Sequence, residues 1–420
     1  MLDIKLLRTN FEEIKKNIDL RNKNYPALEK FQVIDKKWRE VATKLQNLNT
    51  ERNTLSEQIG NLIKEGRQDE ISGIKEKVQG IKVEAEALQS QATEIQKELE
   101  QTMFSIPNIL DISVPFGKDE NENVEIRKNI TPTKFDFTPK AHWEIGVEKG
   151  LLDFERGVKI AGSRMYFLTG EGAILMRALR NFTLDTHIEA GYTEVLPPII
   201  MNAEPYYGLG KLPLFEEDMY QTIDRQFLSG TEEHPLTSMY MNETLETLPV
   251  KVTSSIVSFR KEAGSAGKDT KGILRVHQFY NTELVNFVNP SESFEKLEEM
   301  THQAEKILKL LEIPYRTILL CSGDTGDAAT KTYDIEVWVP SENKYREISS
   351  CSNVLDYQSR ALGIKYKDAD GTTKYVHTLN GTGTSLNRLW IAIVENFQQA
   401  DGTILIPEKL QKYMNNRKSI

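Results

Sequence analysis

Two heptad seams joined by a short polar turn constrain this chain more than any other feature. Ile34, Trp38, Val41, Leu45, Leu48, Arg52, Leu55, Ile59 and Leu62 follow steps of four and three. Ile71, Ile74, Val78, Ile81, Ala85, Leu88, Ala92, Ile95 and Leu99 repeat the pattern. Apolar side chains at that spacing form one stripe along a helix, and the stripe needs a partner. The connection from Lys64 to Asp69, which contains Gly66, suits an antiparallel return. The spacing predicts a long helical hairpin over residues 30–101. Each arm of about 29 residues would reach about 43 Å, too long to pack fully on an ordinary domain, so it is expected to project. Gly60, Gly73 and Gly80 weaken the end near the turn, by up to roughly 1 kcal/mol each against Ala. Such an arm can grip a long partner such as structured RNA, or serve as a dimerisation or spacer coil. Basic and acidic residues nearly balance along it, so charge does not choose between the two. Lys36, Lys37, Arg39, Lys44, Arg52, Lys75, Lys77 and Lys82 are the candidate phosphate contacts.

The rest of the chain is long enough for one or two further domains with a sizeable core, at 420 residues in all. No run approaches a membrane span, and the N-terminus lacks the apolar core of a signal peptide. Cys321 and Cys351 cannot build a disulfide framework and have no partner at metal-ligand spacing. A reducing cytoplasm, with no membrane partner, is the expected setting. The net charge of −9 argues weakly against nucleic acid but leaves room for a local basic stripe. Leu2, Leu6, Phe11, Ile14 and Ile18 have helical spacing, with Thr9 or Asn10 as a cap. The prolines between Met103 and Pro139 and the polar run Lys118 to Glu125 mark a linker with short extended pieces. The expected division is residues 1–103, a linker at 104–139, and a second large domain at 140–420.

Within that domain, Val250 to Glu262 and Ile273 to Val288 read as two strands flanking a Gly-rich charged loop. Alternation places Arg275, Phe279 and Glu283 on one face, and Leu274, Val276, Tyr280 and Leu284 on the other, toward a core. Arg260 and Glu262 share a face of the first strand. Phe279 to Glu283 spans about 13 Å, enough for a flat anionic ligand with a ring at one end and a cationic group at the other. A solvated hairpin face with cross-strand ion pairs fits the same spacing.

Helices are expected over Gly172 to Ala190 and Phe294 to Leu311, and strands over Tyr192 to Ile200, Tyr333 to Pro340, Lys344 to Ser350 and Thr403 to Ile406. Strands outnumber parallel crossover units, so the fold class is α+β with a largely antiparallel sheet. Asn380 to Gly383 reads as a Gly-rich turn before a helix whose stripe is Leu386, Leu389, Trp390, Ile393, Val394 and Phe397. Arg388 in its first turn suits an anion, or is a solvent-facing arginine beside a cap. The P-loop and dinucleotide fingerprints are absent, the six histidines have no zinc spacing, and no Ser or Cys nucleophile motif is present. His277 reads as structural.

These residues carry a pattern over essentially the whole chain. Gly191-Tyr-Thr-Glu-Val-Leu-Pro-Pro198, Phe259-Arg-Lys-Glu-Ala-Gly-Ser-Ala-Gly through Arg275-Val-His-Gln-Phe279, and Gly381-Thr-Gly383 through Arg388 occur in the order of the three class II aminoacyl-tRNA synthetase motifs. With Thr231-Glu-Glu233, Glu347-Ile-Ser-Ser350-Cys-Ser-Asn353 and the heptad arm, the chain resembles the seryl-tRNA synthetase family. The resemblance implies a class II synthetase-like antiparallel catalytic sheet flanked by helices, and a coiled-coil arm that binds tRNA. It implies a cytoplasmic homodimer that joins L-serine and ATP to seryl-adenylate, then moves serine to the 3′ end of tRNA(Ser). It leaves charging of tRNA(Sec) open.

By the same resemblance, Arg260, Arg275, Glu347 and Arg388 are the catalytic residues. Arg260 clamps the α-phosphate and the serine carboxylate. Glu262 takes the adenine edge, Phe279 stacks on adenine with Arg388 over its other face, and Arg275 reaches the phosphates. Lys261, Ile348, Ser349 and Ser350 complete the ATP set. Glu347 and Ser350 hold Mg²⁺, and no zinc is implied. Thr231, Glu233, Arg260, Glu283 and Thr382 surround serine. Lys268 is expected to meet the incoming tRNA end. Three positions depart from the family's usual residues: Thr382 for Ser, Val354 for a second Cys, and Thr384-Ser-Leu-Asn387 for a more apolar, Gly-containing run. A synthetase-like ligase for a carrier protein would lack the arm, and a non-catalytic RNA-binding paralogue would not need Arg260, Glu262, Phe279, Glu283, Glu347 and Arg388 together.

Overall fold

The computed structural model describes residues 1–264, 267 and 269–420. Contacts divide it into two units, Asn24–Ile106 and the remainder, Met1–Lys23 with Pro107–Ile420. The first is the hairpin, formed by helices Ala27–Lys64 and Ile71–Phe104. Every residue of the two heptad seams is buried or half-buried, while the eight candidate phosphate contacts are exposed, apart from the half-buried Arg52. Lys30 reaches across to Glu98 at 3.2 Å, as the antiparallel register requires. Gly66 makes the turn with φ +75°. Gly60, Gly73 and Gly80 lie inside the helices, where a Cβ would meet nothing within 4 Å.

The second unit is built on a nine-stranded sheet. Its order runs Val124–Asn129, Tyr315–Leu319, Lys331–Val339, Lys344–Asn353, His377–Ser385, Gln278–Val288, Val250–Ser254 and Thr193–Glu194, with Val257–Phe259 pairing beside Gln278–Val288. All neighbours are antiparallel except Thr193–Glu194 on Val250–Ser254. Helices Glu171–Ile188, Ser293–Leu310 and Leu386–Asn396 contribute Leu175, Leu179, Leu297, Ile307, Leu389 and Trp390 to one continuous core with the sheet. Gln278–Val288 is covered on both faces, so Asn281, Thr282, Glu283 and Asn286 are buried although they are polar. Buried polar groups of that kind need partners, and these make up much of the site below.

Helix Phe11–Asp19 follows Asn10, and a short helix Ile4–Thr9 precedes it. This N-terminal stretch is tied to the sheet unit by Arg21, which is fully buried and donates to the carbonyls of Asn108, Thr325, Gly326 and Ala329. Val124–Asn129, inside the expected linker, is an edge strand of the sheet.

Five expectations about local structure are corrected. The run Val250 to Glu262 is two strands, broken at Ser255 and Ile256, where Ser255 Oγ turns to the Asn281 carbonyl at 2.7 Å and Ile256 N–H leaves the ladder for Glu232. The return strand starts at Gln278 rather than Ile273. Tyr192 to Ile200 is interrupted by Pro197 and Pro198, leaving Thr193–Glu194 and Ile200–Met201. Asn380 to Gly383 is not a turn but part of strand His377–Ser385. Its glycines permit close packing, since a Cβ at Gly381 would sit 2.8 Å from Met300 Sδ, and one at Gly383 would sit 2.6 Å from His187 Nε2. Thr403 to Ile406 forms only isolated bridges, to Gln398 and Ser419.

Candidate active site

Two adjoining cavities open on one face of the sheet, and Arg260, Glu347 and Thr382 line both. The first, of about 200 Å³, is bounded by Glu262, Arg275, Phe279, Asn387 and Arg388 among others. The second, of about 380 Å³, takes Lys211, Thr231, Glu233, His234, Glu283 and Ser350. The strand Gln278–Val288 runs between them and turns Phe279 to the first and Glu283 to the second.

Arg260 lies just past the end of strand Val257–Phe259 and is exposed. Its Nε donates to the Gly230 carbonyl at 2.9 Å, and its guanidinium carbon stands 5.1 Å from the Phe279 ring centroid. Glu262 is also beyond the strand. It takes a left-handed backbone, φ +54°, and its Oε2 accepts from Arg275 Nη1 at 2.6 Å. Arg275 is further tied to Asp269 at 3.7 Å. Although burial opposes its charge, these carboxylates raise the Arg275 pKa above the ordinary arginine value. Arg388, in the first turn of Leu386–Asn396, pairs with Glu347 Oε2 at 3.2 Å. The departure at residues 384–387 has a visible use: Asn387 Oδ1 accepts from Tyr280 N at 3.0 Å, and its Nδ2 donates to the Tyr166 hydroxyl at 2.7 Å. This fixes the strand beside Phe279.

In the second cavity Glu283 Oε1 accepts from Thr382 Oγ1 at 2.8 Å and Thr231 Oγ1 at 3.3 Å. A bulge at Gly383 lets Thr382 stand directly opposite Glu283. Glu233 accepts from Gln358 at 2.9 Å and faces Lys211 at 3.8 Å. Burial, and then the charge of Glu232, push the Glu283 carboxyl well above the usual range. Burial likewise lifts Glu232 to about 7, although Ile256 N–H and Ser258 Oγ bond its two oxygens at 3.0 and 3.2 Å. His234 is driven well below its ordinary value by burial and by nearby Lys211 and Arg260.

Glu347 and Ser350 are three apart on strand Lys344–Asn353, which strict alternation would place on opposite faces. A bulge at Ile348 changes the parity: Glu347 stands opposite Glu336 and Ser350 opposite Asp334, two residues apart on the partner strand. Both therefore line the same cavity. Behind Ser350, Asp334 Oδ1 is buried without a hydrogen-bond partner, and burial followed by the Glu347 charge pushes this carboxyl well up. Among the described residues no cluster of three or more His, Cys, Asp or Glu is placed to hold a metal. Ile348 lines the first cavity, and Ser349 Oγ bonds the Thr382 carbonyl.

Lys261 is set apart from both cavities. Its N–H donates to the Asp218 carbonyl at 2.9 Å and its ammonium stands 5.9 Å from the Tyr220 ring centroid. Lys268 lies outside the described residues. His277 Nδ1 contacts the Arg260 carbonyl at 3.0 Å, a backbone role. Glu232, His234, Lys211, Asp334 and Asn387 were not among the expected site residues. Glu232 lies inside the Thr231-Glu-Glu233 motif and Asn387 inside the departing run 384–387, so the sequence pointed to both stretches; Lys211, His234 and Asp334 carried no such signal.

A narrow cavity bounded by Phe279 and three arginines, joined through Arg260 to a larger acidic cavity on a largely antiparallel sheet, is the arrangement expected of a class II aminoacyl-tRNA synthetase. Residues 217–397 match the tRNA synthetase class II core domain (G, H, P, S and T). Residues 1–110 match the seryl-tRNA synthetase N-terminal domain. The chain is 49% identical over 420 residues to the serine–tRNA ligase of Caldicellulosiruptor bescii, covering 99% of each chain. The crystal structure of seryl-tRNA synthetase from Pyrococcus horikoshii complexed with ATP matches at TM-score 0.94 and 38% identity, covering 100% of this chain and 99% of that one. The cytoplasmic serine–tRNA ligase from Naegleria fowleri in complex with AMP matches at TM-score 0.89 and 29% identity, covering 100% and 98%. The chain belongs to the seryl-tRNA synthetase family. No helix among the described residues is long and apolar enough to cross a membrane.

Proposed function

We propose that this chain is a serine–tRNA ligase that makes seryl-adenylate from serine and ATP and then transfers serine to tRNA(Ser). The observation that carries this reading is the shared wall of the two cavities, since one arginine reaches both the groove bounded by Phe279, Arg275 and Arg388 and the acidic pocket. Adenylate formation joins a carboxylate to an α-phosphate. It needs alignment and charge neutralisation more than proton transfer. Arg260 holds the serine carboxylate and the α-phosphate together. Adenine lies on Phe279, with Glu262 at its edge and Arg388 above. In the protein alone Glu262 and Glu347 occupy Arg275 and Arg388. The phosphates compete for these arginines as ATP enters. Glu283, Glu233, Thr231 and Thr382 take the serine ammonium and hydroxyl. A pocket built to bond a hydroxyl rejects alanine because its polar groups are left unpaired.

Glu347 and Ser350 suit Mg²⁺: they are hard oxygen donors brought to one cavity by the bulge between them, with a buried carboxyl oxygen of Asp334 behind them that has no hydrogen-bond partner. When bound, the ion would neutralise charge on the phosphate oxygens. The arm is the tRNA grip, its basic side chains exposed for phosphate contact, and the enzyme works as a cytoplasmic homodimer. The test is aminoacylation of a tRNA(Ser) transcript with labelled serine. Formation of acid-precipitable seryl-tRNA is expected, and its absence with folded protein would contradict the reading.

A further inference from the structure

We propose that His142, held by Glu395, is a positioning residue for ATP: it fixes Ile273, and through Ile273 the wall that carries Arg275 and Phe279. His142 opens helix His142–Glu148 and is buried, and Glu395, near the end of Leu386–Asn396, is fully buried. Glu395 Oε1 accepts from His142 Nδ1 at 2.8 Å and from its backbone N–H at 2.9 Å. Its Oε2 accepts from Ser341 N at 3.1 Å. On the other side of the ring, Nε2 accepts from Ile273 N–H at 3.1 Å. A backbone amide can only donate, so the hydrogen-bond directions fix the tautomer: Nδ1 carries the proton and Nε2 the lone pair.

Ile273 is fully buried and is the first residue after the Gly-rich loop. From it the chain passes through Leu274, Arg275 and Val276 along the nucleotide-side cavity. The ladder starts only at Gln278; ahead of it Arg164 Nη1 donates to the Arg275 carbonyl at 3.2 Å, His277 N–H donates to the Arg164 carbonyl at 3.3 Å, and His142 holds the start of the segment at Ile273. The approach is close enough to demand glycine next door: Gly272 has φ +72°, and a Cβ there would fall 2.1 Å from His142 Nε2. The helix that carries Glu395 near its end begins with the turn carrying Arg388. The two walls of the cavity, Arg388 and Arg275 with Phe279, are thus joined through one carboxylate–imidazole pair. A second tie keeps His142 in place: Lys140 N donates to Gln398 Oε1 at 2.8 Å, and Gln398 Nε2 donates to the Lys140 carbonyl at 3.0 Å.

The proposal rests on the reading of this cavity as the ATP site, and the experiment separates the two. Serine-dependent pyrophosphate exchange by the unsubstituted enzyme tests the reading. Exchange by three variants then tests the proposal. A glutamine carbonyl extends to the position of Nε2 and can accept from Ile273, whereas an asparagine amide stops near Nδ1 and keeps only Glu395. His142→Gln should hold the KM for ATP within about threefold, and His142→Asn should raise it about tenfold or more, with the KM for serine unchanged in both. Gly272→Ala, on the loop side, should resemble His142→Asn. A purely structural histidine would make Gln and Asn alike in KM, or would weaken serine and ATP together, and either result overturns the proposal. So would a Gly272→Ala enzyme with an unaltered KM for ATP, an outcome that does not depend on how well the His142 variants fold.

Discussion

Replacing Arg260 with alanine removes the one arginine that both cavities share. Its anchoring is modest, with one bond to the Gly230 carbonyl and a stacking contact with Phe279, and the side chain is exposed. Its loss should therefore change folding stability by less than about 1 kcal/mol. Its cost in catalysis is of another order. The guanidinium offers at least one charge-assisted bond to the serine carboxylate and one to the α-phosphate, each worth about 1.5–3 kcal/mol. Both together amount to about 3–6 kcal/mol, or roughly 10²- to 10⁴-fold in kcat/KM. The assay is serine-dependent exchange of labelled pyrophosphate into ATP, with melting temperature measured alongside. Arg260→Lys keeps the charge but not the fork and should fall between. An alanine variant that exchanges within about threefold of the unsubstituted enzyme would show that Arg260 does not bridge the two substrates.

Thr382→Val keeps volume but removes the hydroxyl that donates to Glu283 at 2.8 Å. It should raise the KM for serine about tenfold and leave that for ATP within about twofold. Excising residues 34–99 and closing the gap with a short glycine-serine linker should preserve exchange and abolish aminoacylation; simultaneous loss of both in a folded product would show that the arm is not a separable grip. In Glu305, burial alone would lift the carboxyl, but hydrogen bonds from Thr317 and Arg127 outweigh it and hold it at about 2 against an ordinary 4.5. A depressed carboxylate stabilises the fold fully above about pH 4.5, and that contribution is lost as pH falls toward 2. It is worth about 3 kcal/mol. Urea midpoints measured from pH 6 to pH 3 should fall less steeply for Glu305→Gln, and identical slopes would contradict the assignment.

What could be read in the sequence was whatever local periodicity decides. The heptad seams were legible residue by residue because a helix repeats its stripe without reference to the rest of the chain. Phe279 and Glu283 share a face because the strand through them is unbroken on its own course. Glu347 and Ser350 come together through a bulge, and the parity change at Ile348 leaves no trace in residue type. Glu262 reaches Arg275 by leaving the strand in a left-handed conformation that favours glycine. Glu232 is buried because a helix begins at Glu233 and carries it inward, while its partners, Ile256 and Ser258, lie at a strand break that is itself made by tertiary hydrogen bonds. Glycines 381 and 383 looked like a turn but serve close packing within a strand, which only the neighbours Met300 and His187 reveal. The pairing of His142 with Glu395 spans two ends of the catalytic unit, beyond any spacing rule.

The most direct measurement is pyrophosphate exchange by the purified chain with each of the twenty amino acids in turn, at fixed ATP and Mg²⁺. Exchange is expected with serine, at least about a hundredfold less with alanine because the hydroxyl-bonding groups are left unpaired, and weakly with threonine, where one methyl is worth about 1–3 kcal/mol. Exchange driven best by any other amino acid, or none with serine, would contradict the proposed function.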